Sequence, residues 1–246
     1  MKIPFHTLPC GRFRAAATAV AIAVTCSLSA PLKAAWTIDW GSVIPSTLVD
    51  SKGNTISLDD GFLFELGAFN QGFEPLETNT DDWFSNWNIF DSVSTVDGFN
   101  ESLGYFTSTA GLRSDGTSTS TSSQVQGSFP GFEGLNAYLW IRNSTTEMSS
   151  GSESEWLLVR AQSWIFPEVP PDCCDNVLPL QWSVSQLTPS DIPGWGRQGD
   201  VIGPGEYEFD GPSTLQTYTI PEPGVGVLIL LGGLAALLFR RRPSAC

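Results

Sequence analysis

Residues 47–67 read Thr-Leu-Val-Asp-Ser-Lys-Gly-Asn-Thr-Ile-Ser-Leu-Asp-Asp-Gly-Phe-Leu-Phe-Glu-Leu-Gly. Two short β-prone runs, 47–50 and 55–58, flank Ser51-Lys52-Gly53-Asn54, a cluster of turn formers. A second break at Asp59-Asp60-Gly61 leads into a third run, Phe62 to Gly67. The spacing predicts a hairpin followed by a third strand, a meander. Runs of the same kind recur at 104–107, 137–141, 156–161 and 180–184, separated by Gly, Asn, Asp, Ser and Pro. No apolar stripe of helical period persists over any length of this region. Many short strands spaced by turns predict an all-β fold, an antiparallel β-sandwich or jelly-roll-like domain.

Two stretches stand apart from the strands. In residues 81–90, Asp-Asp-Trp-Phe-Ser-Asn-Trp-Asn-Ile-Phe, the side chains Trp83, Trp87 and Phe90 recur at intervals of four and three. That spacing predicts a short helix with the three rings on one face, packed on a sheet. Residues 114–123 are rich in Ser and Thr and lack an apolar anchor, the composition of a mobile, solvated loop or a glycosylated one. Residues 149–155 repeat this composition more briefly.

Both ends carry apolar segments. Lys2, Arg12 and Arg14 precede an apolar run from Ala15 to Ala30, and small residues follow at Ala34 and Ala35. This is the layout of a cleavable signal peptide over residues 1–35, too short for a stable span. The mature chain is expected to begin near Trp36. At the other end, Gly224 to Phe239 is apolar and uncharged. As a helix it would measure about 24 Å against the roughly 30 Å of a bilayer core. Gly232 and Gly233 in its middle weaken it further. The three arginines Arg240, Arg241 and Arg242 behind it favour a cytoplasmic C-terminus. Pro221-Glu222-Pro223 ahead of it keeps the chain stiff and extended. Residues 36–219 are therefore an exported β-rich domain, and residues 220–246 a tail with a short transmembrane helix.

Of twelve basic residues, four lie before Trp36 and three in the tail. Lys52, Arg113, Arg142, Arg160 and Arg197 remain to face twenty-five acids, a net charge of about −20 for the exported part. Such a surface repels phosphate, so no nucleic-acid partner is expected. Of five cysteines, only Cys173 and Cys174 lie in the exported domain. Adjacent cysteines bridge each other only through a strained ring, which leaves intermolecular pairing or two thiols as alternatives.

The sole histidine, His6, lies in the signal peptide. The domain therefore lacks the residue needed for Ser-His-Asp or Cys-His nucleophilic sites, histidine-bound metals and histidine bases. No Gly-rich phosphate loop follows a strand, and no organic cofactor is expected. Three chemistries remain. A carboxylate pair acting on a sugar is one, with Glu65 and Glu133 as the candidates for a cleft. A structural Ca²⁺ is the second: oxygen ligands cluster at Asp59-Asp60, at Asp81-Asp82 and at Asp172 with Asp175, although none forms a spaced calcium loop. Asp59 and Asp60 also read as caps of a hairpin turn. Carbohydrate binding is the third, because all nine tryptophans (Trp36, Trp40, Trp83, Trp87, Trp140, Trp156, Trp164, Trp182 and Trp195) lie in the domain. Trp140 and Trp182 read as sheet residues. Trp195, in the loop Pro193-Gly194-Trp195-Gly196, is the candidate glycan platform, with a loop anchor as its other reading.

The order Pro221-Glu222-Pro223, Gly- and Leu-rich helix, Arg240 to Arg242 resembles the PEP-CTERM sorting signal of bacterial envelope proteins. Gly224 stands where that family commonly has Ser, and Pro243 to Cys246 extend past its basic end. The turn Asp50-x-x-Gly53, then Phe64-x-Leu66-Gly67 and Asn79-x-x-x-Trp83, are similar to a group of such proteins from environmental bacteria with no assigned activity. The resemblance implies recognition at the inner membrane by an exosortase, a membrane-embedded transpeptidase-like enzyme, and release to the cell surface or an exopolysaccharide matrix. With the acidity and the missing catalytic residue types, it leads to an expected non-enzymatic structural or adhesive role linked to exopolysaccharide or biofilm. The alternatives are a carboxylate-dependent glycoside-active enzyme and a carbohydrate-binding module.

Overall fold

A computed structural model describes residues 34–42, 48–57, 60–94, 98–100, 104–143, 154–168, 178–188, 191, 195–205 and 214–220. The chain divides into two compact units, 1–31 and 32–246, and every described residue belongs to the second. The described residues form β1 (Ala34–Gly41), β2 (Leu48–Val49), β3 (Leu63–Phe69), a four-residue helix α1 (Trp83–Asn86), β4 (Trp87–Ser94), β5 (Phe99–Asn100), β6 (Tyr105–Arg113), β7 (Tyr138–Arg142), β8 (Glu155–Val159), β9 (Leu180–Ser183), β10 (Arg197–Gln198), β11 (Leu215–Gln216) and β12 (Tyr218–Thr219). The structure is mostly β, as the sequence predicts, and most pairings are antiparallel. Among the described residues no helix is long and apolar enough to cross a membrane. Both terminal segments lie outside them.

One sheet runs β5-β6-β1-β9 and a larger one β12-β8-β7-β3-β4. A small third sheet runs β10-β11-β2. The side-chain period of two sorts each strand between its faces. Ile38 and Trp40 of β1 share an apolar cluster with Phe106, Ala110 and Leu112 of β6. The same cluster takes Phe64 and Leu66 from β3, Leu139 and Ile141 from β7, and Leu157 and Val159 from β8. The two larger sheets thus bury their facing surfaces in a common core. Phe64 lies 4.4 Å from Phe106 across it, ring to ring.

The alternate residues of the larger sheet are buried as well. Phe69, Trp87, Tyr138, Trp140, Trp156 and Leu158 form a second cluster, closed over by Trp83 of α1. Phe84, also of α1, packs against it. A buried ion pair sits on this face: the Arg142 guanidinium bonds Glu65 in a forked arrangement, with Nε at 3.1 Å from Oε2. Trp87 Nε1 donates to the same Oε2 at 2.9 Å. Arg142 lies 5.0 Å from the Phe84 ring centroid and 5.3 Å from that of Trp140. Burial of a lone charge is costly, and here each charge has the other and a further polar or aromatic partner.

Three local expectations are corrected. The helix predicted from the spacing of Trp83, Trp87 and Phe90 ends at Asn86, because Trp87 onward pairs with β3 from Phe69↔Trp87 to Leu63↔Ser94. The three rings do not share a face: Trp83 and Trp87 lie in the second cluster, Phe90 in the common core. The reason is a β-bulge. Leu66 pairs with Asp91 but Gly67 pairs with Ile89, so Phe90 is the extra residue. A bulge inverts the alternation beyond it. Ahead of it the odd residues Trp87 and Ile89 face the second cluster; beyond it Val93 faces the common core.

The predicted meander is also not formed. The hairpin exists as a stub, with Val49↔Thr55 bridged and Ile56 N donating to Leu48 O at 3.1 Å. Asp50 Oδ1 closes its turn by accepting from Lys52 N at 2.9 Å and Asn54 N at 2.7 Å. The third run, β3, joins the larger sheet instead, between β4 and β7. Beside β2 lies β11, in parallel register Leu215↔Leu48 and Gln216↔Val49. The turn is further covered by the loop that includes Gly203 and Gly205. A Cβ on Gly205 would lie 2.3 Å from the Gly53 carbonyl carbon, so only glycine allows this approach.

The Ser/Thr tract is a structural strip, not a solvated loop. Gln124 and Ile89 exchange backbone bonds of 3.0 and 2.7 Å, which covers the outer edge of β4. Ser123 Oγ donates to Ile89 O at 2.8 Å, and Ser122 Oγ accepts from Ser92 N at 2.8 Å. Covering an edge strand removes a template for association with other chains.

Candidate functional site

The segment that leads directly to Pro221 is residues 214–220, and the fold grips its first half hardest. β11 is bracketed by β10, with Arg197↔Gln216 and Gln198↔Leu215, and by β2. Gln216 is 1% exposed. Its amide Nε2 donates to Ile202 O at 2.6 Å and Asp50 O at 3.2 Å, and its Oε1 accepts from Ile202 N at 3.0 Å. Thr217 is fully buried. Its N–H donates to Val49 O at 3.1 Å and its hydroxyl to Glu155 Oε2 at 2.6 Å. Glu155, itself buried, also accepts from Ser51 N at 2.8 Å and Ser51 Oγ at 2.7 Å. One carboxylate thus ties the hairpin turn, β8 and the C-terminal segment together. Hydrogen bonds to a charged acceptor are the stronger kind, which suits a junction of three segments.

The second half is held by fewer bonds. β12 lies along β8 with Tyr218↔Trp156 and Thr219↔Glu155. Tyr218 is half-buried and Thr219 exposed. Ile220 N donates to Ser154 O at 2.8 Å, and the Ile220 side chain packs into the second cluster. Trp195 spans the two strands. Its backbone O accepts from Leu158 N at 3.0 Å, and its indole Nε1 donates to Tyr218 O at 3.0 Å. Gly196 follows with φ +98°, and a Cβ there would lie 2.2 Å from Leu157 Cδ1. Glycine is needed there for both reasons.

The sequence candidates fall as follows. Pro221, Glu222, Pro223, Arg240, Arg241 and Arg242 lie outside the described residues, and so do Asp59, Cys173, Cys174, Asp172 and Asp175. Trp195, the candidate glycan platform, is half-buried against the second cluster, and its N–H is engaged by Tyr218. Seven other tryptophans are buried, and Trp36 is half-buried. Glu65 and Glu133 are not brought into a shared environment: Glu65 is buried on Arg142 and Glu133 is exposed. Asp60 caps its turn, accepting from Ser57 N at 2.6 Å and Ser57 Oγ at 3.0 Å. Among the described residues no group of three or more His, Cys, Asp or Glu side chains is placed to hold a metal ion. Asp115 is held below the usual carboxylate range, first by the Thr117 hydroxyl that donates to it at 2.6 Å.

The buried carboxylates Glu155 and Asp91 and the amide of Gln216 are absent from the sequence candidates. Residues 214–220, Thr-Leu-Gln-Thr-Tyr-Thr-Ile, are a β-prone run that marks the segment as strand. Nothing local marks the two acids, whose partners lie 104 and 51 residues away. Compared with known proteins, the chain matches no family model, no curated protein and no solved structure.

Proposed function

We propose that this chain is an exported envelope or matrix protein: an antiparallel β-sandwich, jelly-roll-like in kind, delivered by an N-terminal signal peptide and sorted by a C-terminal PEP-CTERM-type tail. Its role is structural or adhesive, toward exopolysaccharide, and not enzymatic. The processing partner is an exosortase-type enzyme acting at the inner membrane, after which the domain stands on the cell surface or in the matrix. The observation that supports this reading most is the position of Ile220. Its side chain is buried in the second cluster, one position ahead of Pro221-Glu222-Pro223, so the packed domain reaches up to the motif. The four buried carboxylates Glu65, Asp91, Glu155 and Asp191 each accept hydrogen bonds from within the domain, an arrangement suited to a structural role.

Replacing Pro221, Glu222 and Pro223 by alanine tests the sorting. The variant is expected to stay full-length in the membrane fraction, while the native chain appears shortened in the matrix fraction. Release of the variant at the native level overturns the sorting reading. Deletion of the chain with no change in matrix composition or cell adhesion overturns the structural role.

A further inference from the structure

The root of the tail is gripped unevenly, and the boundary is sharp. Up to Thr217 the segment is sealed: the Gln216 amide makes three hydrogen bonds of 3.2 Å or less, to Ile202 and Asp50, and Thr217 is fixed through both its N–H and its hydroxyl. Beyond Thr217 the chain is a two-residue edge strand with an exposed Thr219, held by β8, by the Trp195 N–H and by Ile220, whose side chain packs into the second cluster. We propose that β12 is a releasable strap hinged at Thr217, and that its unzipping is what delivers Pro221-Glu222-Pro223 to the processing enzyme. This rests on the sorting reading given above.

The argument is one of reach. With the strap closed, Pro221, Glu222 and Pro223 alone separate the anchored Ile220 from the apolar tail segment. Three extended residues span about 10 Å. A folded domain held that near a bilayer occupies the space a membrane-embedded enzyme needs around its substrate. Peeling Tyr218, Thr219 and Ile220 from β8 doubles the free length to about 20 Å. It also converts them to the extended, unpaired chain that a processing cleft takes. The clamp on Gln216 and Thr217 keeps the rest of the domain folded meanwhile, since its bonds run to β2, Glu155 and Ile202 and not to β12. Opening a two-residue edge strand is the kind of motion that stays below global unfolding, its main cost here being the withdrawal of the Ile220 side chain from the second cluster. Trp195 acts as the catch. It remains joined to β8 through Leu158 N, so its indole is in place to recapture Tyr218 O once the tail has been cut away.

The test is hydrogen exchange on the full-length chain in detergent, with processing followed in the producing cells. The Ile220 amide is expected to exchange about a hundredfold faster than the Thr217 amide. Trp195→Phe keeps an aromatic ring, though a smaller one, and removes the donor. It should speed Ile220 exchange about fivefold, the loss of one hydrogen bond, and leave Thr217 unchanged. In cells it should hasten conversion to the shortened form. A Gly-Ser-Gly insert between Ile220 and Pro221 leaves the domain untouched and supplies the reach directly. It should also hasten conversion, and Trp195→Phe should add nothing on top of it. Equal exchange at Ile220 and Thr217 overturns the strap, whatever becomes of the tail. Fast Ile220 exchange with conversion indifferent to both changes overturns its role in delivery. A native chain that is never shortened overturns the sorting reading and the delivery with it, while the exchange result still decides the strap.

Discussion

Asp91 is 4% exposed and sits between the two larger sheets. Its Oδ2 accepts from Trp40 Nε1 at 2.8 Å and Ser108 Oγ at 2.6 Å, and its Oδ1 from Ser120 Oγ at 2.6 Å and Ser122 Oγ at 3.0 Å. One side chain therefore joins β1, β4, β6 and the Ser/Thr strip. Hydroxyls deprived of this acceptor can turn elsewhere, but the indole N–H cannot. Asp91→Ala is expected to cost about 3 kcal/mol, and Asp91→Asn about half as much, since the amide keeps one acceptor but turns a donor toward donors. Urea unfolding measures both. A loss below about 1 kcal/mol for the alanine variant would mean that the strip is held by its backbone bonds instead. None of this is legible at residue 91. In the sequence it is one of twenty-six acids, and the strip that meets it has the composition of a linker. Composition records that serines are polar, not that a buried carboxylate awaits them.

The element that puts Asp91 there is the bulged strand β4. Without the extra residue Phe90, position 91 would face the second cluster, and four donors would lose their acceptor. The partner that permits the strand to lie so close is Gly67. A Cβ there would stand 2.2 Å from Asn88 O and 2.7 Å from Trp87 Cζ2, both on β4. Gly67→Ala is expected to cost about 2–3 kcal/mol through displacement of β4 and of the Trp87 indole that bonds Glu65. Its thermal unfolding and the near-ultraviolet circular dichroism of the tryptophan cluster around Trp87 should change together. An unchanged melting temperature would show that β4 can shift freely. Strands β7 and β8 could be read from the chain because each is a compact run dominated by Leu, Ile, Val and Trp, and β9 because Leu180 and Trp182 alternate with polar residues. β4 could not, because rings four and three apart fit a helical face as well as a bulged strand. What decides between them is β3, twenty residues earlier, which no local window contains. The same holds for the meander: the run from Phe62 to Gly67 is a strand as its composition predicts, but its sheet is settled by β4 and β7, which follow it in the chain, and not by the hairpin beside it.

At the scale of the molecule, the C-terminal seam is the closure. Residues 214–220 bridge β2, β8, β10 and the Trp195 loop, and their bonds to the β2 hairpin reach back 166 positions. A chain ending at Ile220 is expected to melt with the full-length domain. A chain ending at Pro212 would leave Glu155 without Thr217 and would expose the sites of Leu215 and Ile220. Its expected loss is about 4 kcal/mol or more, from burial and hydrogen bonding together, seen in thermal melts. Equal melting of the two would mean that the seam is ornamental to the fold. The proposed sorting tail could be read from the sequence because the reading rests on gross properties of a contiguous segment: a stiff motif, an apolar run and a basic end. The strap ahead of it could not, since its weakness is a property of what lies beside it.

β1 carries one further implication. Ile38 pairs with Ala110 on one side and Leu180 on the other, so the strand lies inside its sheet with partners that follow it in the chain by about seventy and about one hundred and forty positions. Under the export route proposed above, this strand leaves the cell first. One of its edges then waits for β6, about seventy residues behind, and the other for β9, which follows only after most of the domain. Such long-range pairing places folding late and on a millisecond-to-second scale, well separated from the passage of any one segment. The topology thereby enforces a sequence of events that no targeting signal encodes: the domain crosses as an open chain, and the first part to arrive is among the last to be sealed.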